Sequence, residues 1–402
     1  MSLRSPRGFH DIKGSELKKF RKITGVSREI LKAYNYEEII TPVVEFAQLF
    51  ERSVGEATDI VQKEMFLFQD RGGRKLALRP EGTAGVVRAY IQGRLYLEKP
   101  YHKLFYEGPM FRYERPQAGR YRQFHQIGVE VFGVRESFAD AELLKLADDI
   151  LRALDIEAVV EINSLGCKEC RPAYVSALTE YLESVKDELC DVCLTRRERN
   201  PMRVLDCKVE TCKVATMEAP STVDFLCEEC KSHYKSLKDY INALGIRYRE
   251  NPRLVRGLDY YTRTVFEIIP KDLENAVVAG GRYDYLVEEL GGPPTPALGF
   301  AVGVERLALL LREPEDREEL YFIAFFGNVH AYALKVADLL RRKGKKVELS
   351  FRGGGLRKQL ELANRMGASF AVIIGEDELR EGKITLKDMR TGVQRRLSLA
   401  EL

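Results

Sequence analysis

All eight cysteines of this 402-residue chain lie in one stretch, between Cys167 and Cys230. Three C-x2-C pairs occur there, as CKEC, CDVC and CEEC, and Cys207 and Cys212 form a looser fourth pair. Helical patterns flank these pairs, mixed helical and strand patterns precede the stretch, and strand-rich patterns resume near residue 254. A cysteine-rich helical stretch that interrupts strand-rich sequence is expected to fold as an inserted module.

The state of these thiols has three interpretations. The chain starts without an apolar signal segment, and no stretch approaches the roughly 18 apolar residues of a membrane span, so we expect a cytoplasmic protein with no membrane part. Reduced C-x2-C pairs are typical of zinc or redox sites, and eight thiolates could hold two structural Zn²⁺ ions. Disulfides, which intracellular proteins of hyperthermophiles contain, and free thiols stay open as alternatives.

The C-terminal part of the chain differs in charge and in pattern. Residues 341–402 hold 15 Lys and Arg against 8 Asp and Glu, a net of +7, although the whole chain carries only +3. Strand and helix patterns alternate from residue 321, after the charged run 312–319, which we interpret as a linker. A small α/β domain with a mainly parallel sheet, closed by a hairpin at 390–392, is predicted. Its charge fits a solvated surface or a polyanion partner.

Polar chemistry concentrates around residues 111–126. Four arginines fall within eleven residues there, around a loop between two strands. Alternation in the second strand places Phe124, Gln126, Gly128, Glu130 and Phe132 on one face. A core strand would not hide Gln126 and Glu130 without partners, so this face is predicted to meet a polar ligand.

Three further clusters carry polar side chains in apolar surroundings. Glu81 and Thr83 precede a helix, and Thr83 could simply cap it. Arg256 and Asp259 are embedded among apolar and aromatic residues, where a structural ion pair between them is the alternative. Arg306 falls in the first turn of a helix, where a cation is unfavourable, so an internal glutamate or a phosphate is expected nearby.

Several common catalytic patterns are absent. The chain contains no GxxxxGK[ST], GxSxG or HExxH, and its five histidines have no metal-ligand spacing. What remains is a set of Arg, Glu and Tyr without an obvious nucleophile, which suits transfer chemistry performed by positioning and charge stabilisation.

These motifs together resemble the histidyl-tRNA synthetases, which are class II aminoacyl-tRNA synthetases. Residues 38–50 resemble class II motif 1, which forms the dimer interface. FRYE with GRYRQFHQIGVEVFG resembles motif 2, and GFAVGVERLALL resembles motif 3. LVRGLDYYTRTVFE and AGGRYDYL are similar to signatures of the histidine enzymes alone.

The resemblance implies an α+β fold. It would comprise a class II antiparallel sheet flanked by helices, a mostly helical insertion and a C-terminal α/β anticodon-binding domain. The implied boundaries are 1–163 and 249–318 for the two parts of the catalytic domain, 164–248 for the insertion and 320–402 for the anticodon-binding domain.

The resemblance also implies an activity and a site. A cytoplasmic homodimer would use ATP with Mg²⁺ to convert L-histidine into histidyl-adenylate and pyrophosphate, and would then transfer histidine to the 3′ end of tRNA(His), releasing AMP. No metal ligands are assigned. The implied catalytic residues are Arg112 and Arg256; the implied histidine-binding residues are Glu81, Thr83, Arg112, Gln126, Glu130, Arg256, Tyr260 and Tyr261; the implied ATP-binding residues are Arg112, Arg120, Arg122, Phe124 and Arg306.

Two other functions stay under consideration. A non-catalytic synthetase paralogue that regulates ATP phosphoribosyltransferase shares the catalytic fold, but that family lacks the C-terminal domain and the full set of contacts. A zinc-dependent nucleic-acid-binding protein would explain the cysteines and the basic C-terminal part. It would leave Glu81, Gln126, Glu130 and Arg256 without a purpose.

Overall fold

The alternating patterns of the sequence are realised in two separate units. The computed structural model describes residues 3–55, 58–312 and 319–401, and the chain divides into Met1–Glu313 and Pro314–Leu402. Most of the charged run interpreted as a linker lies outside the described residues. The strands of the first unit are β1 (Glu37–Glu38), β2 (Val44–Phe46), β3 (Leu67–Gln69), β4 (Lys75–Leu78), β5 (His102–Phe111), β6 (Gln123–Phe132), β7 (Ala158–Ser164), β8 (Tyr248–Glu250), β9 (Thr262–Pro270), β10 (Val278–Arg282) and β11 (Ala297–Gly303).

The first unit is built on an eight-stranded sheet in the order β1-β5-β6-β11-β10-β9-β7-β8. Its interior pairings are antiparallel, and only the edge pairs β1–β5 and β7–β8 are parallel. A second, three-stranded sheet has the order β2-β4-β3. The predicted antiparallel sheet flanked by helices is therefore confirmed. The helices of this unit are α1 (Gly14–Ala33), α2 (Ala47–Val54), α3 (Thr83–Gln92), α4 (Phe138–Ala153), α5 (Arg171–Ser184), α6 (Asp191–Arg199), α7 (Glu210–Ala215), α8 (Glu228–Ala243), α9 (Leu286–Glu289) and α10 (Val304–Leu310).

One face of the large sheet packs on helices through an apolar core. Ile127, Val129 and Val131 of β6 are buried in the same cluster as Leu143 and Leu144 of α4. Because side chains alternate along a strand, burial of these three places Gln126 and Glu130 on the opposite face of the sheet. Because the apolar face of β6 packs against α4, its polar residues Gln126 and Glu130 lie on the opposite face of the sheet.

A buried ion pair ties α4 to β10. Arg282 is fully buried, its Nε lies 2.8 Å from Asp140, and its Nη1 donates to the carbonyl of Val134 at 3.0 Å. Removing one partner of such a pair costs about 3–5 kcal/mol because the other charge stays buried. The arginine of AGGRYDYL therefore has a structural role.

The cysteine-bearing stretch is helical, as predicted. Between the end of β7 at Ser164 and the start of β8 at Tyr248, the regular elements are the helices α5 to α8 and short 3-10 turns. This stretch belongs to the first unit. The boundaries of 164–248 as a separate domain stay a prediction.

The second unit has its own sheet and its own core. Its elements are β12 (Leu320–Phe325), α11 (His330–Arg342), β13 (Lys346–Leu349), α12 (Leu356–Arg365), β14 (Phe370–Ile374), α13 (Glu376–Glu381), β15 (Lys383–Asp388) and β16 (Gln394–Ser398). The sheet order is β13-β12-β14-β15-β16, with two parallel pairings around β12 and two antiparallel pairings, β14–β15 and β15–β16. The sheet is therefore half parallel, and not mainly parallel as predicted.

The sequence did not predict α13, because Leu379 is its only apolar residue and leaves no periodic signal. Among the described residues, none of the helices is both long enough and apolar enough to cross a bilayer.

Candidate active site

A cavity of about 190 Å³ opens on the face of the large sheet opposite α4. Strands β6, β10 and β11, the loop before β9 and the start of α10 contribute to its wall. Most of the site residues implied by the sequence meet there, although they come from four distant parts of the chain. Those that line the cavity are Glu81, Thr83, Arg112, Arg120, Phe124, Gln126, Arg256, Tyr260, Tyr261 and Arg306.

Glu130 lies beneath the cavity floor, with 1% of its surface exposed. Thr83 Oγ1 donates to its Oε1 at 2.7 Å, and the Tyr283 hydroxyl donates to its Oε2. Burial raises the pKa of Glu130 to about 8, although these hydroxyls favour the carboxylate. Gly299 of the neighbouring strand makes room for it, because a Cβ there would lie 2.0 Å from Oε2.

The glycine of the polar face of β6 also has a steric purpose. A Cβ at Gly128 would lie 2.1 Å from the ring of Tyr106, and a Cβ at Gly82 would lie 2.2 Å from the same ring. The space that Gly128 leaves between Gln126 and Glu130 is therefore taken by Tyr106. This fully buried tyrosine, which sequence reasoning missed, forms part of the cavity wall.

The helix cap that the sequence offered as an alternative role for Thr83 is provided by Glu81. Glu81 accepts the backbone N–H groups of Thr83 at 2.7 Å and Ala84 at 2.9 Å, at the start of α3. Thr83 instead directs its hydroxyl to Glu130. Glu81 is buried, which raises its pKa. The carboxylate closes the helix end because it reaches two N–H groups, and this leaves the hydroxyl free for the pocket.

Arg256 pairs with Glu267 and not with Asp259. Asp259 accepts a hydrogen bond from Asn200 at 2.8 Å, so the alternative of an Arg256–Asp259 pair was wrong. The Arg256 guanidinium also lies 5.7 Å from the ring centroid of Tyr261.

Two buried polar atoms of the site have no hydrogen-bond partner within the described part of the chain, namely Gln126 Oε1 and Arg256 Nε. Both residues line the cavity, so a polar ligand bound there would supply hydrogen-bond partners to these atoms.

The other end of the cavity is cationic. The Arg112 guanidinium lies 5.3 Å from the ring centroid of Phe124, and its Nε donates to Pro80 O at 2.8 Å. Burial lowers the pKa of Arg306, and the nearby charges of Arg120 and Arg112 lower it further. Arginines held this close favour an anion among them.

The negative partner expected for Arg306 is only partly supplied by the chain. Glu305, in the same turn of α10, accepts from the backbone N–H of His125 at 2.8 Å and from its ring at 2.9 Å. Glu114 pairs with Arg120 and lies 3.8 Å from Arg112. Because Glu305 bonds to His125 and Glu114 pairs with Arg120, the phosphate alternative for Arg306 stays open.

Arg122 lies outside the cavity wall. Its guanidinium stacks 3.7 Å from the ring centroid of Tyr113, and its Nε donates to Glu114 O at 3.2 Å. The phosphate contact that the resemblance implied for Arg122 stays a prediction without geometric support.

Sequence reasoning missed several other wall residues. Glu114 and Glu267 lie within the motifs already singled out, as carboxylate partners of the site arginines, and Tyr283 belongs to AGGRYDYL. The sequence shows that these three residues belong to the motifs, but it does not show which side chains they contact.

Comparison with known proteins gives a consistent family. A family model described as histidyl-tRNA synthetase matches residues 8–307, and an anticodon binding domain model matches residues 320–402. The chain is 68% identical over 403 residues to a histidine–tRNA ligase of Aquifex aeolicus, covering 100% of both chains. It is 47% identical to that of Halothermothrix orenii, covering 100% of this chain and 98% of the relative. The crystal structure of apo S. aureus histidyl-tRNA synthetase matches with a TM-score of 0.81 at 38% identity, covering 99% and 98%.

The raised pKa of Glu130 predicts a pH-dependent stability. Its value of about 8 in the folded chain lies above the ordinary 4.5, so protonation stabilises the fold fully below 4.5, and this contribution is lost as the pH rises through 8. We expect the melting temperature of the unmodified protein to fall by several degrees relative to Glu130→Gln between pH 5 and 9, measured by scanning calorimetry. The exposed substitution Glu136→Gln should follow the unmodified curve. Parallel curves for Glu130→Gln would contradict the burial argument.

Proposed function

The chain belongs to the histidyl-tRNA synthetase family, and we propose from that premise how its cavity performs histidine–tRNA ligation. The enzyme is a ligase that joins L-histidine to tRNA(His) through a histidyl-adenylate, releasing pyrophosphate and then AMP. The strongest support for the proposal is the position of two buried polar atoms that lack hydrogen-bond partners. The orphaned atoms of Gln126 and Arg256 lie in a cavity that also contains a buried acid and a cluster of arginines.

We propose that the buried-acid end of the cavity binds the histidine side chain. An imidazole needs a partner for each ring nitrogen, and Glu130 and Tyr260 are the natural pair. Gln126, Glu81, Thr83 and Tyr261 would complete this end. A buried polar group left unpaired costs about 1–3 kcal/mol, so amino acids that cannot pair with these groups are rejected.

The arginine end is proposed to bind ATP. The ring of Phe124 would stack on the adenine, with Arg306 on its other face and towards the γ-phosphate. Arg112 and Arg256 would contact the α-phosphate, and Arg120 would add a further phosphate contact. Arg122 is left out of this proposal because its guanidinium is occupied by the Tyr113 ring.

The first step needs charge stabilisation more than proton transfer. The histidine carboxylate attacks the α-phosphorus and pyrophosphate leaves, so negative charge grows on the oxygens between Arg112 and Arg256. Guanidiniums offer fixed, forked donors to such oxygens. Glu267 would hold Arg256 in place by their ion pair.

The second step is the attack of a terminal tRNA ribose hydroxyl on the carbonyl of the adenylate. The phosphate of the adenylate could accept the proton of this hydroxyl, and the same two arginines would then stabilise the leaving AMP.

Mg²⁺ is proposed to bind mainly through ATP. The described residues contain no cluster of three or more carboxylates or histidines placed to hold a metal. Glu114 and Glu267 provide oxygen atoms at the cavity wall, but both pair with arginines. Mg²⁺ usually binds one or two carboxylates together with substrate phosphates, which fits this supply. When bound, Mg²⁺ neutralises phosphate charge. Structural Zn²⁺ is proposed only at the cysteines.

The regulatory alternative is not favoured. Residues 320–402 match an anticodon binding domain, and the chain matches histidine–tRNA ligases over its full length. We propose that residues 320–402, which carry a net charge of +7 against +3 for the whole chain, bind the anticodon region of tRNA(His).

Histidine-dependent exchange between ATP and pyrophosphate tests the cavity assignment. We expect exchange with histidine and with no other amino acid. Arg256→Lys should lower the rate constant by about 10²–10³-fold, because the charge stays but the forked donor is lost. Arg256→Ala should abolish exchange.

A matched control is Arg247→Ala, which removes an exposed arginine nearby in sequence and should keep the full rate. Circular dichroism would establish that the variants are folded. Exchange by Arg256→Ala at the unmodified rate would remove Arg256 from the site.

Deleting residues 320–402 distinguishes adenylate formation, proposed for the first unit, from anticodon binding, proposed for the second. The first unit has its own cores, so we expect ATP–pyrophosphate exchange to persist in residues 1–319, while charging of tRNA(His) falls strongly because anticodon contacts are lost. Charging kinetics at fixed salt would measure the loss. Unchanged charging would show that the second unit does not bind tRNA.

We propose that the enzyme is a cytoplasmic homodimer formed through the region of residues 38–50. Ile40 is 85% exposed, and the small sheet β2-β4-β3 leaves Phe46, Leu67 and Phe68 about half exposed. Adjacent exposed apolar side chains mark interaction surfaces.

Light scattering coupled to gel filtration should therefore give twice the chain mass of 45.9 kDa. Phe46→Asp should shift the protein towards the monomer, whereas Leu334→Asp, at an exposed position of α11, should not. A monomeric unmodified protein would refute the dimer.

A further inference from the structure

The eight cysteines assemble into two groups of four. Within each group all four sulfur atoms lie within 4.8 Å of one another. The two groups are nested, since the first combines the outermost C-x2-C pairs and the second lies between them in the chain. The seam group is Cys167, Cys170, Cys227 and Cys230, and the tip group is Cys190, Cys193, Cys207 and Cys212.

The distances between sulfur atoms match a tetrahedral metal site. In the seam group, Cys167 Sγ lies 3.6 Å from Cys170 Sγ and 3.9 Å from Cys227 Sγ. In the tip group, Cys190 Sγ lies 3.9 Å from Cys207 Sγ. Four sulfurs at about 2.3 Å from one zinc ion are about 3.8 Å apart, whereas a disulfide requires about 2.05 Å.

Backbone donors point at the sulfur atoms in both groups. The N–H of Cys227 donates to Cys170 Sγ at 3.1 Å, and the N–H of Cys190 donates to Cys212 Sγ at 3.1 Å. Gly166 adopts a φ of +65°, and a Cβ there would lie 2.7 Å from Cys170 Cβ, so the loop closes tightly on this cysteine. Such donors stabilise thiolates and orient metal ligands.

The burial of the cysteine side chains favours a bound metal ion over thiolates without a counter-charge. Cys167, Cys170 and Cys230 are buried in the core next to α4, and the tip-group cysteines Cys193 and Cys212 are completely buried. Thiolates gathered at such buried positions would need a cation to offset their charge. The spacings C-x2-C and C-x4-C are those of structural zinc sites.

We propose that each group binds one structural Zn²⁺, and that the seam group thereby positions the wall of the histidine pocket. The metal part stands by itself, while the positioning part rests on the proposed function. Zinc at the seam group joins the two ends of the helical insertion, because its first pair follows β7 and its second begins α8.

Residues beside or within each cysteine pair of the seam group form hydrogen bonds with the segment that begins at Tyr261. Arg171, directly after Cys170, donates from Nη2 to Tyr261 O at 2.5 Å. The N–H of Arg263 donates to Gly166 O at 2.8 Å, and its Nη2 donates to Glu229 at 2.6 Å, inside the second pair. Residues 261–263 are thus hydrogen-bonded to the loops of both cysteine pairs of the seam group.

The tip group supports the same loop from farther away. Cys193 lies in α6, and the turn that follows α6 places Asn200 2.8 Å from Asp259. Arg196 of α6 donates to Asp59 at 2.6 Å. Zinc at the tip group fixes α6, and α6 in turn fixes the loop that contains Tyr260.

Elemental analysis of the full chain, purified under reducing conditions, tests the metal sites. We expect two zinc ions per chain, and cobalt(II) substitution should give the visible bands of tetrahedral thiolate coordination. Cys170→Ser and Cys193→Ser should each retain one zinc ion. Glu228→Ala, an exposed position between two seam cysteines, should retain two.

The unmodified protein decides the question even where a serine variant fails to fold. No zinc together with eight reactive thiols, or with disulfides under non-reducing conditions, would overturn the proposal. Two zinc ions without histidine-dependent exchange would instead refute the proposed function and leave the metal sites intact.

Positioning is tested by Arg171→Ala, which keeps all eight cysteines. We expect the zinc content to stay at two and the KM for histidine in the exchange reaction to rise about tenfold, with kcat changed less. An unchanged KM would overturn the link from the seam group to the pocket.

Discussion

The buried carboxylate of Glu130 is the constraint around which this site is built. An acid at this depth is stable only with hydrogen-bond donors and with space, and both come from other strands and from α3. Thr83 and Tyr283 donate to it, and Gly299 leaves the volume that it occupies. The motifs that contain these residues are far apart in sequence because the sheet order places them side by side.

The two ends of the cavity differ in their electrostatics, which fits the proposed binding of histidine at one end and ATP at the other. Burial favours the neutral acid at Glu130, so a ligand that supplies hydrogen-bonding nitrogen atoms can replace lost solvation. At the other end, burial and the nearby charges of Arg120 and Arg112 lower the pKa of Arg306, and Glu114 pairs with Arg120. An amino acid with an imidazole and a nucleotide with phosphates complement these two ends.

Long helices and strands with a clear hydrophobic period could be predicted from the sequence, whereas the pairs formed by polar side chains could not. The apolar face of α4 and the alternation of β6 follow from local spacing, but α13 has too few apolar residues to show a period. Local sequence also offered Thr83 as a cap and Asp259 as the partner of Arg256. The structure gives these roles to Glu81 and Glu267, because the choice depends on which side chain reaches the group in three dimensions.

By itself, the sequence determined the residue types of the site, the polar face of β6 and a compact set of eight cysteines, because these follow from spacing along one chain. Only the tertiary structure decided which cysteines group together, that Arg122 stacks outside the cavity, and that Tyr106 fills the space left by Gly82 and Gly128. The physical reason is that strand order and the return of the helical insertion bring together residues more than fifty positions apart, as with Cys170 and Cys227.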